Sequence, residues 1–387
     1  MFSHQELRLL RASVVDRSRG IAIPSHHLVA VRPHVRWGRA VAPVEDSIEV
    51  GGDRRLCCER DRDLVRAGNQ GQADRRLNGN SPMSLQGISR TAIAAAIARA
   101  AHQIFDGDPK LLTDPLALTF VDDATREALR ARKPAIMAMA NPAARVHFCL
   151  RSRIAEDCLA RAVAQGVDQY AILGAGLDSF AYRQPAWAHS VSIVEVDHPK
   201  TQAFKREWLR SRAVAPPPNV GYLPVDFVQE SLIQRLHQAP FDQTRPIFVS
   251  WLGVTQYLAP EAVAETLRSL AAWPGGCGLM LTYMLADWSA FTAEARAWFE
   301  QQKDGAAAVG EPWLSRYSEA AIIASLRSAG FAAQVPFALA DIHALYFSRR
   351  TDGLKAVGGP SRIMGAHTSA DGGAWFNLML DERKTNS

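Results

Sequence analysis

Apolar and polar positions change character near Met83. Before it, in residues 1–82, apolar residues keep neither a helical nor a strand period for long. After it the pattern is regular, and the alanine-rich stretch Thr91–Ile104 predicts a helix. The stretch Arg151–Gln165 places its apolar residues on one helical face and stops before Gly166. The folded part of the chain is therefore predicted to follow Met83.

Short apolar runs alternate with helical stretches over the rest of the chain. The predicted helices continue with Pro260–Ala272 and Ser318–Ala329. The runs that predict strands are Gln169–Leu173, Ser190–Val196, Gly221–Val225, Ile247–Leu252, Leu279–Tyr283 and Ala344–Phe347. Strands that are apolar on both faces are typical of a buried parallel sheet, and their alternation with helices predicts a doubly wound α/β fold.

Composition excludes several classes of protein. Hydrophobic residues make up 48% and charged residues 21% of 387 residues, as in a globular protein. No apolar run reaches the length of about 18 residues that a membrane span needs, and Met1–Gly20 lacks the features of a secretory signal. We therefore expect no membrane association and a cytoplasmic location. The five cysteines, at 57, 58, 149, 158 and 277, show no paired zinc spacing, so no metal site is expected.

The positive charge belongs to the N-terminal segment. Residues 1–82 hold 14 Arg, no Lys and 10 acidic residues, which leaves a net charge of +1 for the remainder. The body of the protein therefore gives no electrostatic reason to expect nucleic acid. Three interpretations of residues 1–82 stay open: a basic arm for an acidic partner, a disordered extension, or a start assigned upstream of a true initiator at Met83.

A glycine-rich turn follows the first predicted strand. Gly174-Ala175-Gly176 ends that strand, and Asp178 comes just after it. Glycine has no Cβ and tolerates positive φ, so backbone there can approach a ligand closely. In open α/β sheets such a crevice is where ligands bind. A structural turn without a ligand remains an alternative.

Acidic residues end the next two strands. Glu195-Val196-Asp197 closes the second, and a carboxylate at Asp197 can accept hydrogen bonds from two ribose hydroxyls. Asp226 ends the third and is followed by Phe227, a pair suited to the amino group and the ring face of adenine. Together these residues indicate a cofactor that contains adenosine.

The turn does not favour a diphosphate. The third glycine of a dinucleotide fingerprint is replaced by Ser179, and Asp178 brings negative charge to the place of a pyrophosphate. S-adenosylmethionine has no phosphate, and its sulfonium and ammonium suit nearby carboxylates. Its own carboxylate requires an arginine, preferably as a bidentate partner.

With these residues assembled, the chain resembles the leucine carboxyl methyltransferase family, in its bacterial branch with polyketide O-methyltransferases. The resemblance extends from about Gly87 to Ala366. The most specific blocks are Leu173–Asp178 with Tyr182-Arg183, and Glu195-Val-Asp197-His-Pro199. Further blocks are Asp114-Pro115-Leu116-Ala117, Arg151-Ser-Arg153, Pro224-Val-Asp226, Tyr257-Leu258 and Gly310-Glu-Pro-Trp313.

The resemblance implies a class I, Rossmann-like methyltransferase with a mostly parallel seven-stranded sheet, an N-terminal helical cover and S-adenosylmethionine as cofactor. It assigns residues 83–370 to this domain and leaves 371–387 as a C-terminal tail. By position, Arg151 matches the arginine for the methionyl carboxylate, Tyr257 a pocket tyrosine and, loosely, Arg99 a second basic residue. The candidate cofactor-binding residues are Arg151, Gly174, Ala175, Gly176, Asp178, Glu195, Asp197, Asp226, Phe227, Trp251 and Tyr257.

Trp251 departs from the family, which commonly has a glutamate there. Its ring either faces the sulfonium through a cation–π contact or fills the core. The substitution weakens the match to members that methylate protein carboxylates. The leading hypothesis is thus an O-methyltransferase for a carboxylate or hydroxyl of a small molecule. Protein C-terminal carboxyl methylation and a non-catalytic adenosine-binding module are the alternatives. Neither His147 nor His198 is a firm base, so no catalytic residue is assigned, and the sequence predicts no oligomeric state.

Overall fold

The computed structural model describes residues 89–227, 230–308, 310–356 and 358–378, without the side chain of Ile233. The chain divides into two units, residues 1–77 and 78–387, and all described residues belong to the second. The three interpretations of residues 1–82 concern residues outside this part of the chain.

A sheet of seven strands forms the centre of the described unit. Its order is β3-β2-β1-β4-β5-β7-β6, and β7 alone runs antiparallel to its neighbours. The register pairs Leu173 of β1 with Val196 of β2 and with Trp251 of β4, so these strands end together at one edge. The strands are β1 Gln169–Leu173, β2 Ser192–Asp197, β3 Val220–Pro224, β4 Ile247–Trp251, β5 Cys277–Met284, β6 Ala333–Pro336 and β7 Ser361–His367.

The helices are α1 Arg90–Phe105, α2 Asp123–Arg130, α3 Pro134–Met139, α4 Pro142–Ala164, α5 Pro199–Arg210, α6 Leu232–Leu236, α7 Pro260–Ala271, α8 Ala293–Ala307, α9 Glu319–Ala329 and α10 Leu339–Tyr346. The longest, α4, begins earlier than the apolar pattern predicts. Asn141 caps it by accepting from the Ala144 N–H at 2.9 Å, and Pro142 takes the first helical position. Both features are standard helix starts. Arg151 thereby lies in the middle of a long helix rather than at its start.

Alternating side chains of the parallel strands enter two separate apolar layers. On β1, Tyr170 and Ile172 pack with α4, whereas Ala171 and Leu173 pack with α6, α7 and α9. A third cluster joins α1, α2 and the short helix Ala117–Phe120 at the N-terminal side. Helices thus cover both faces of the sheet, as the apolar runs predict, with a helical cover before β1.

The C-terminal third differs from the sequence prediction. The run Ala344–Phe347 was predicted to be a strand, but it forms the last turn of α10 and the residue that follows it. Ile342 of α10 and Phe347 are buried. A short apolar run does not by itself distinguish a strand from one turn of buried helix. The strands at this end are β6 and β7, which were not predicted. Residues 371–376, set apart as the start of a tail, form a short helix with Trp375 and Phe376 buried against the sheet.

Within the described residues, no helix has the length and apolar character needed to cross a membrane. The same residues contain no cluster of His, Cys, Asp or Glu suited to hold a metal ion.

Candidate active site

The glycine turn lies at the edge where β1, β2 and β4 end. The N–H groups of Gly174 and Ala175 both donate to the Val196 carbonyl, at 2.8 and 3.2 Å, which ties the turn to β2. Gly174 has φ +66° and Gly176 has φ +47°. A Cβ on Gly174 would stand 2.3 Å from Cγ2 of Val254, so both the conformation and the space require glycine. The turn is therefore a fixed, partly buried piece of backbone at the carboxyl edge of the sheet, and we call the region in front of it the cofactor cleft.

Asp197 is the acid that faces this turn. One carboxylate oxygen accepts from the Gly176 N–H, and the other accepts from the His198 N–H at 2.6 Å. Burial raises the pKa of Asp197, and the two N–H donors oppose that rise. Each oxygen of an ionised carboxylate has a second lone pair. Asp197 is thus held in a fixed orientation and retains two acceptor positions.

Arg151 reaches the same edge from α4. Its guanidinium lies over the Phe148 ring, 4.8 Å from the centroid, and against Gly253, where a Cβ would come within 2.3 Å of Nη1. Gly253 follows β4 with φ +75°. Burial and the like charge of Arg99 lower the pKa of Arg151 to about 10, while the charge of Asp178 opposes this. The guanidinium remains charged at neutral pH and has no hydrogen-bonding or ion-pair partner among the described residues.

Arg99 behaves differently, because it lies behind the turn. It is buried, with Nε 3.2 Å from an Asp114 oxygen, and it donates through Nη2 to the Leu177 carbonyl. Asp114 also accepts from the Ser179 hydroxyl at 2.6 Å, and Arg183 binds Ser179 and Glu156. These five side chains, which we call the support network, fix the segment that follows the glycine turn.

The N-terminus of α1 lies beside the glycine turn, where a Cβ on Gly176 would come within 3.2 Å of Cβ of Ala92. The hydroxyls of Thr91 and Tyr257 lie 2.7 Å apart. Glu311 accepts from the Thr91 hydroxyl at 2.9 Å and from the Arg90 N–H at 3.0 Å. A carboxylate at a helix N-terminus is favoured by the exposed N–H groups and the helix dipole. This contact holds α1 beside Tyr257, in keeping with the expected helical cover.

Asp226 and Phe227 follow β3 near the same edge. One oxygen of Asp226 lies 3.9 Å from Nε2 of His198, and Phe227 is partly buried against the layer of α6 and α7. Asp178 is half-buried, and its carboxylate accepts from the Phe180 N–H at 2.7 Å. The three strand-end acids named by the sequence, Asp178, Asp197 and Asp226, therefore follow β1, β2 and β3 in order across the sheet.

Glu195 and Trp251 are both buried. Glu195 is buried, and Lys205 of α5 donates to one of its oxygens at 2.7 Å. Burial raises the pKa of Glu195 to about 7, and Lys205 opposes this rise. Trp251 is fully buried in the layer of α7 and α9, and its Nε1 has no acceptor in the part of the chain described. The cofactor roles expected for these two residues stay predictions.

His147, beside Arg151, is a weak base. Burial, followed by the charge of Arg151, lowers the pKa of His147 to about 3. Its imidazole is neutral at pH 7 and takes up a proton only weakly. His198 caps α5 by accepting from the Lys200 N–H at 3.2 Å. Its side chain faces the Asp197 end of the cleft rather than Arg151.

The strand order, with one antiparallel strand inserted beside β5, and the glycine turn facing an acid at the end of β2 define a class I methyltransferase. The chain is also similar to solved structures. A DUF574 family protein from Streptomyces avermitilis is 20% identical, with 70% of this chain and 97% of that one covered and a TM-score of 0.44. An O-methyltransferase family protein from Burkholderia thailandensis is 12% identical, with 64% and 63% covered and a TM-score of 0.40. The fold assignment itself rests on the strand order.

Sequence relatives give the family. The profile of the leucine carboxyl methyltransferase family matches residues 92–271. A Bacillus subtilis protein named "Putative S-adenosyl-L-methionine-dependent methyltransferase YktD" is 34% identical over 217 residues, 56% of this chain and 68% of that protein. A Mycobacteroides abscessus protein named "Putative S-adenosyl-L-methionine-dependent methyltransferase" is 32% identical over 206 residues. The match covers 52% of this chain and 66% of that protein. A Mycolicibacterium gilvum relative is 38% identical over 133 residues, which cover only 42% of its length.

The chain belongs to the leucine carboxyl methyltransferase family and is an S-adenosylmethionine-dependent methyltransferase. The matched regions cover between 42% and 68% of these three relatives.

Several residues of the cleft were missed by sequence reasoning. The role of Asp114 in the support network was not foreseen, although its Asp-Pro-Leu-Ala block was noted. Gly253 and Val254 were not among the candidate residues. Thr91 and Glu311 are 220 positions apart. No local pattern joins residues so distant, so only the folded chain reveals that contact.

Proposed function

We propose that this protein transfers a methyl group from S-adenosylmethionine to an oxygen, carboxylate or hydroxyl, of a small-molecule acceptor. The observation that carries the proposal is the arrangement around the glycine turn. It combines an oriented acid with two open acceptor positions, Asp197, and a charged guanidinium without a partner among the described residues, Arg151. These are the groups that a ribose diol and an amino-acid carboxylate require.

The residues fit S-adenosylmethionine in charge as well as in kind. Asp197 would accept from the ribose hydroxyls, Arg151 would pair with the methionyl carboxylate, and Asp226 with Phe227 would flank the adenine. When bound, S-adenosylmethionine supplies a methyl group on a cationic sulfur, which becomes a neutral thioether once the acceptor oxygen has taken the methyl. The protein's own task is to position the reactants and exclude water.

The low pKa of His147, the histidine described beside Arg151, favours a carboxylate acceptor over a hydroxyl. A carboxylic acid has an unperturbed pKa of about 4 and is already ionised at neutral pH, so it needs no proton acceptor. A phenol or alcohol must lose a proton to a positioned group or to water. With a pKa of about 3, His147 is poorly suited to that task.

The second candidate is methylation of a protein C-terminal carboxylate, which the name of the matched family suggests. Against it stands Trp251, buried in the core where the resemblance expects a glutamate. A labelled-methyl assay with size-fractionated extract separates the two. Label in the fraction of small molecules supports the proposal, and label only in protein, released by mild base as an ester, supports the alternative.

The cofactor assignment is tested by calorimetric titration of S-adenosylmethionine into Asp197→Ala. We expect a loss of roughly 1–3 kcal/mol, because a charged acceptor of two hydrogen bonds is removed. Glu207→Ala is the control, since Glu207 is an exposed acid on α5 paired with Arg210. An unchanged dissociation constant in Asp197→Ala would remove the ribose assignment. If the wild-type chain takes up no S-adenosylmethionine at all, the third hypothesis, a non-catalytic module, is left.

A further inference from the structure

A second concave surface lies beyond β5. Its cavity of about 360 Å³ is lined by Ala286, Trp288, Ser289, Arg296, Glu300 and Arg316. The volume falls within the range usual for small-molecule sites, about 300–1,000 Å³. Because β1, β4 and β5 are parallel, this cavity follows the end of β5 at the same edge of the sheet as the glycine turn. We call it the aromatic cavity.

Trp288 is the aromatic residue that lines the aromatic cavity. Trp288 is buried and packs edge to face against Phe299 and Trp313, with centroid distances of 5.5 and 6.3 Å. The guanidinium carbon of Arg316 lies 5.4 Å from the Trp288 ring centroid. The Nε1 atoms of Trp288 and Trp313 are buried and have no acceptor in the described part of the chain. Indole and guanidinium surfaces together favour a flat, electron-rich ligand.

The unpaired charge in the lining of the aromatic cavity is positive. Arg316 has no acidic partner among the residues described. Arg296 donates through Nη1 to the carbonyls of Ser289 and Phe291, at 3.1 and 2.8 Å, so it is held by backbone. The one lining acid, Glu300, pairs with Lys303. A ligand with an anionic group would therefore meet an uncompensated guanidinium.

One segment of chain connects the aromatic cavity to the cofactor cleft. It begins at Glu311, which contacts Thr91 beside Tyr257, and it ends at Arg316. Between them, the Leu314 N–H donates to the Gln256 carbonyl at 2.6 Å. The Tyr317 N–H then donates to the Met284 carbonyl of β5 at 2.8 Å. The segment thus contacts Thr91 beside Tyr257 at one end and lines the aromatic cavity at the other.

We infer that the aromatic cavity binds the methyl acceptor, and that this acceptor is a planar aromatic molecule with an anionic substituent that pairs with Arg316. The inference rests on the proposed function and names its substrate class. Trp288 supplies the ring contact, and Arg316 supplies the positive charge.

The test is a ligand-observed NMR titration of the full chain in saturating S-adenosylhomocysteine. The probes are 2-naphthoate, its neutral counterpart 2-naphthylmethanol, the aliphatic anion decanoate, and an N-acetylated hexapeptide ending in free leucine. We expect 2-naphthoate to bind more tightly than each of the other three. Removing the charge in Arg316→Gln should weaken 2-naphthoate by about 3–10-fold and leave 2-naphthylmethanol unchanged, because a partly exposed charged pair is lost.

Two further variants keep the result specific. Arg268→Gln removes an exposed arginine of α7 that pairs with Glu265, and it should leave all four affinities as they are. Trp288→Phe retains an apolar ring, so it should fold and still weaken 2-naphthoate, because the larger indole face is lost. Circular dichroism and the affinity for S-adenosylhomocysteine, unchanged in each variant, exclude a general defect.

Equal affinity of 2-naphthoate and 2-naphthylmethanol, or no effect of Arg316→Gln, would overturn the inference. Preferential binding of decanoate would assign the cavity to lipid-like acids, and preferential binding of the peptide would assign it to a protein C-terminus, each against the inference. The proposed function fails separately, if the wild-type chain does not bind S-adenosylmethionine in the calorimetric test above or if the labelled-methyl assay labels only protein.

Discussion

Arginines lie on both sides of the glycine turn, but those behind it are paired with acids and the one in front of it is not. Behind the turn, the support network joins Arg99, Asp114, Ser179, Arg183 and Glu156, and each charge has an opposite charge beside it. In front of the turn, Arg151 has only the Phe148 ring and the edge of Gly253. Paired buried charges determine position, whereas an unpaired charge at a cleft is available to a ligand. The comparison thus separates residues that shape the cofactor site from residues that would bind in it.

The largest expected effect is a loss of stability when the support network is broken. Asp114→Ala removes a carboxylate with no exposed side-chain surface and leaves the Arg99 guanidinium buried without its acid. We expect a loss of about 3–5 kcal/mol in the free energy of unfolding, measured by urea titration. Glu265→Ala, which breaks an exposed pair on α7, should cost less than about 1 kcal/mol. Equal losses in the two variants would show that the support network does not hold the turn.

Substitution of the unpaired Arg151 should change cofactor binding rather than stability. Arg151→Gln is not expected to lower the free energy of unfolding, because no protein hydrogen bond or ion pair is lost and a charge that burial disfavours is removed. The dissociation constant for S-adenosylmethionine should rise by about 10–100-fold, as for a lost charge-assisted hydrogen bond. Calorimetry and urea titration on the same preparation measure both. A variant that unfolds readily yet binds normally would reverse the comparison.

The pH dependence of binding is expected to come from Asp197. Burial raises its pKa above the ordinary value of 3.8, so it takes up a proton at a higher pH than an exposed aspartate. The charged carboxylate is the better acceptor for ribose hydroxyls, so affinity for S-adenosylmethionine should fall as pH drops through the raised pKa. Protonation of a single group can weaken the affinity by at most about tenfold for each pH unit.

The control for this titration is Asp197→Asn, which should bind weakly with a flat acid limb. If the acid limb survives in Asp197→Asn, another group must cause it. The raised pKa of Asp197 has the opposite effect on the stability of the unliganded protein. A raised carboxyl pKa contributes to the free energy of unfolding at low pH, and this contribution is lost as the pH rises through the raised pKa.

The smallest effect is expected at the contact between α1 and the segment that begins at Glu311. Glu311→Gln keeps the shape but removes the negative charge at the N-terminus of α1. We expect a loss of about 0.3–1 kcal/mol in the free energy of unfolding, smaller at high salt. Glu294→Gln, at the N-terminus of the exposed helix α8, provides a matched charge removal away from the cleft. The dissociation rate of S-adenosylmethionine should increase only in Glu311→Gln.

Prediction from sequence was most successful where the signal was local. The strands β1, β2 and β4 and the helices α7 and α9 were predicted to within about two residues at either end. Their apolar runs are bounded by Gly, Pro or a capping residue such as Ser318, so both ends are marked. The prediction failed at Ala344–Phe347, because four apolar residues suit either a strand or the buried side of α10. It missed β7, whose central Gly365 and polar ends disguise a buried strand.

The candidate site was predicted as a set of residue types at strand ends. The sequence indicated that Asp197 and the glycine turn would meet, since the ends of adjacent parallel strands share an edge. Residue type and spacing alone gave no means to distinguish Arg99 from Arg151, because both are arginines on helices before β1, and only the resemblance favoured Arg151. Their difference arises from Asp114 and Leu177, which the fold brings to Arg99 and not to Arg151.

The sequence by itself determined the α/β class, the place of the glycine turn and the acids that follow the strands, because these depend on the spacing of neighbouring residues. The tertiary structure alone decided which charges are paired, which is open to a ligand, and that Trp288 and Arg316 share a cavity beyond β5. Pairing depends on distances between residues far apart in the chain. Those distances exist only once the helices pack on the sheet, and burial then sets the strength of each charge.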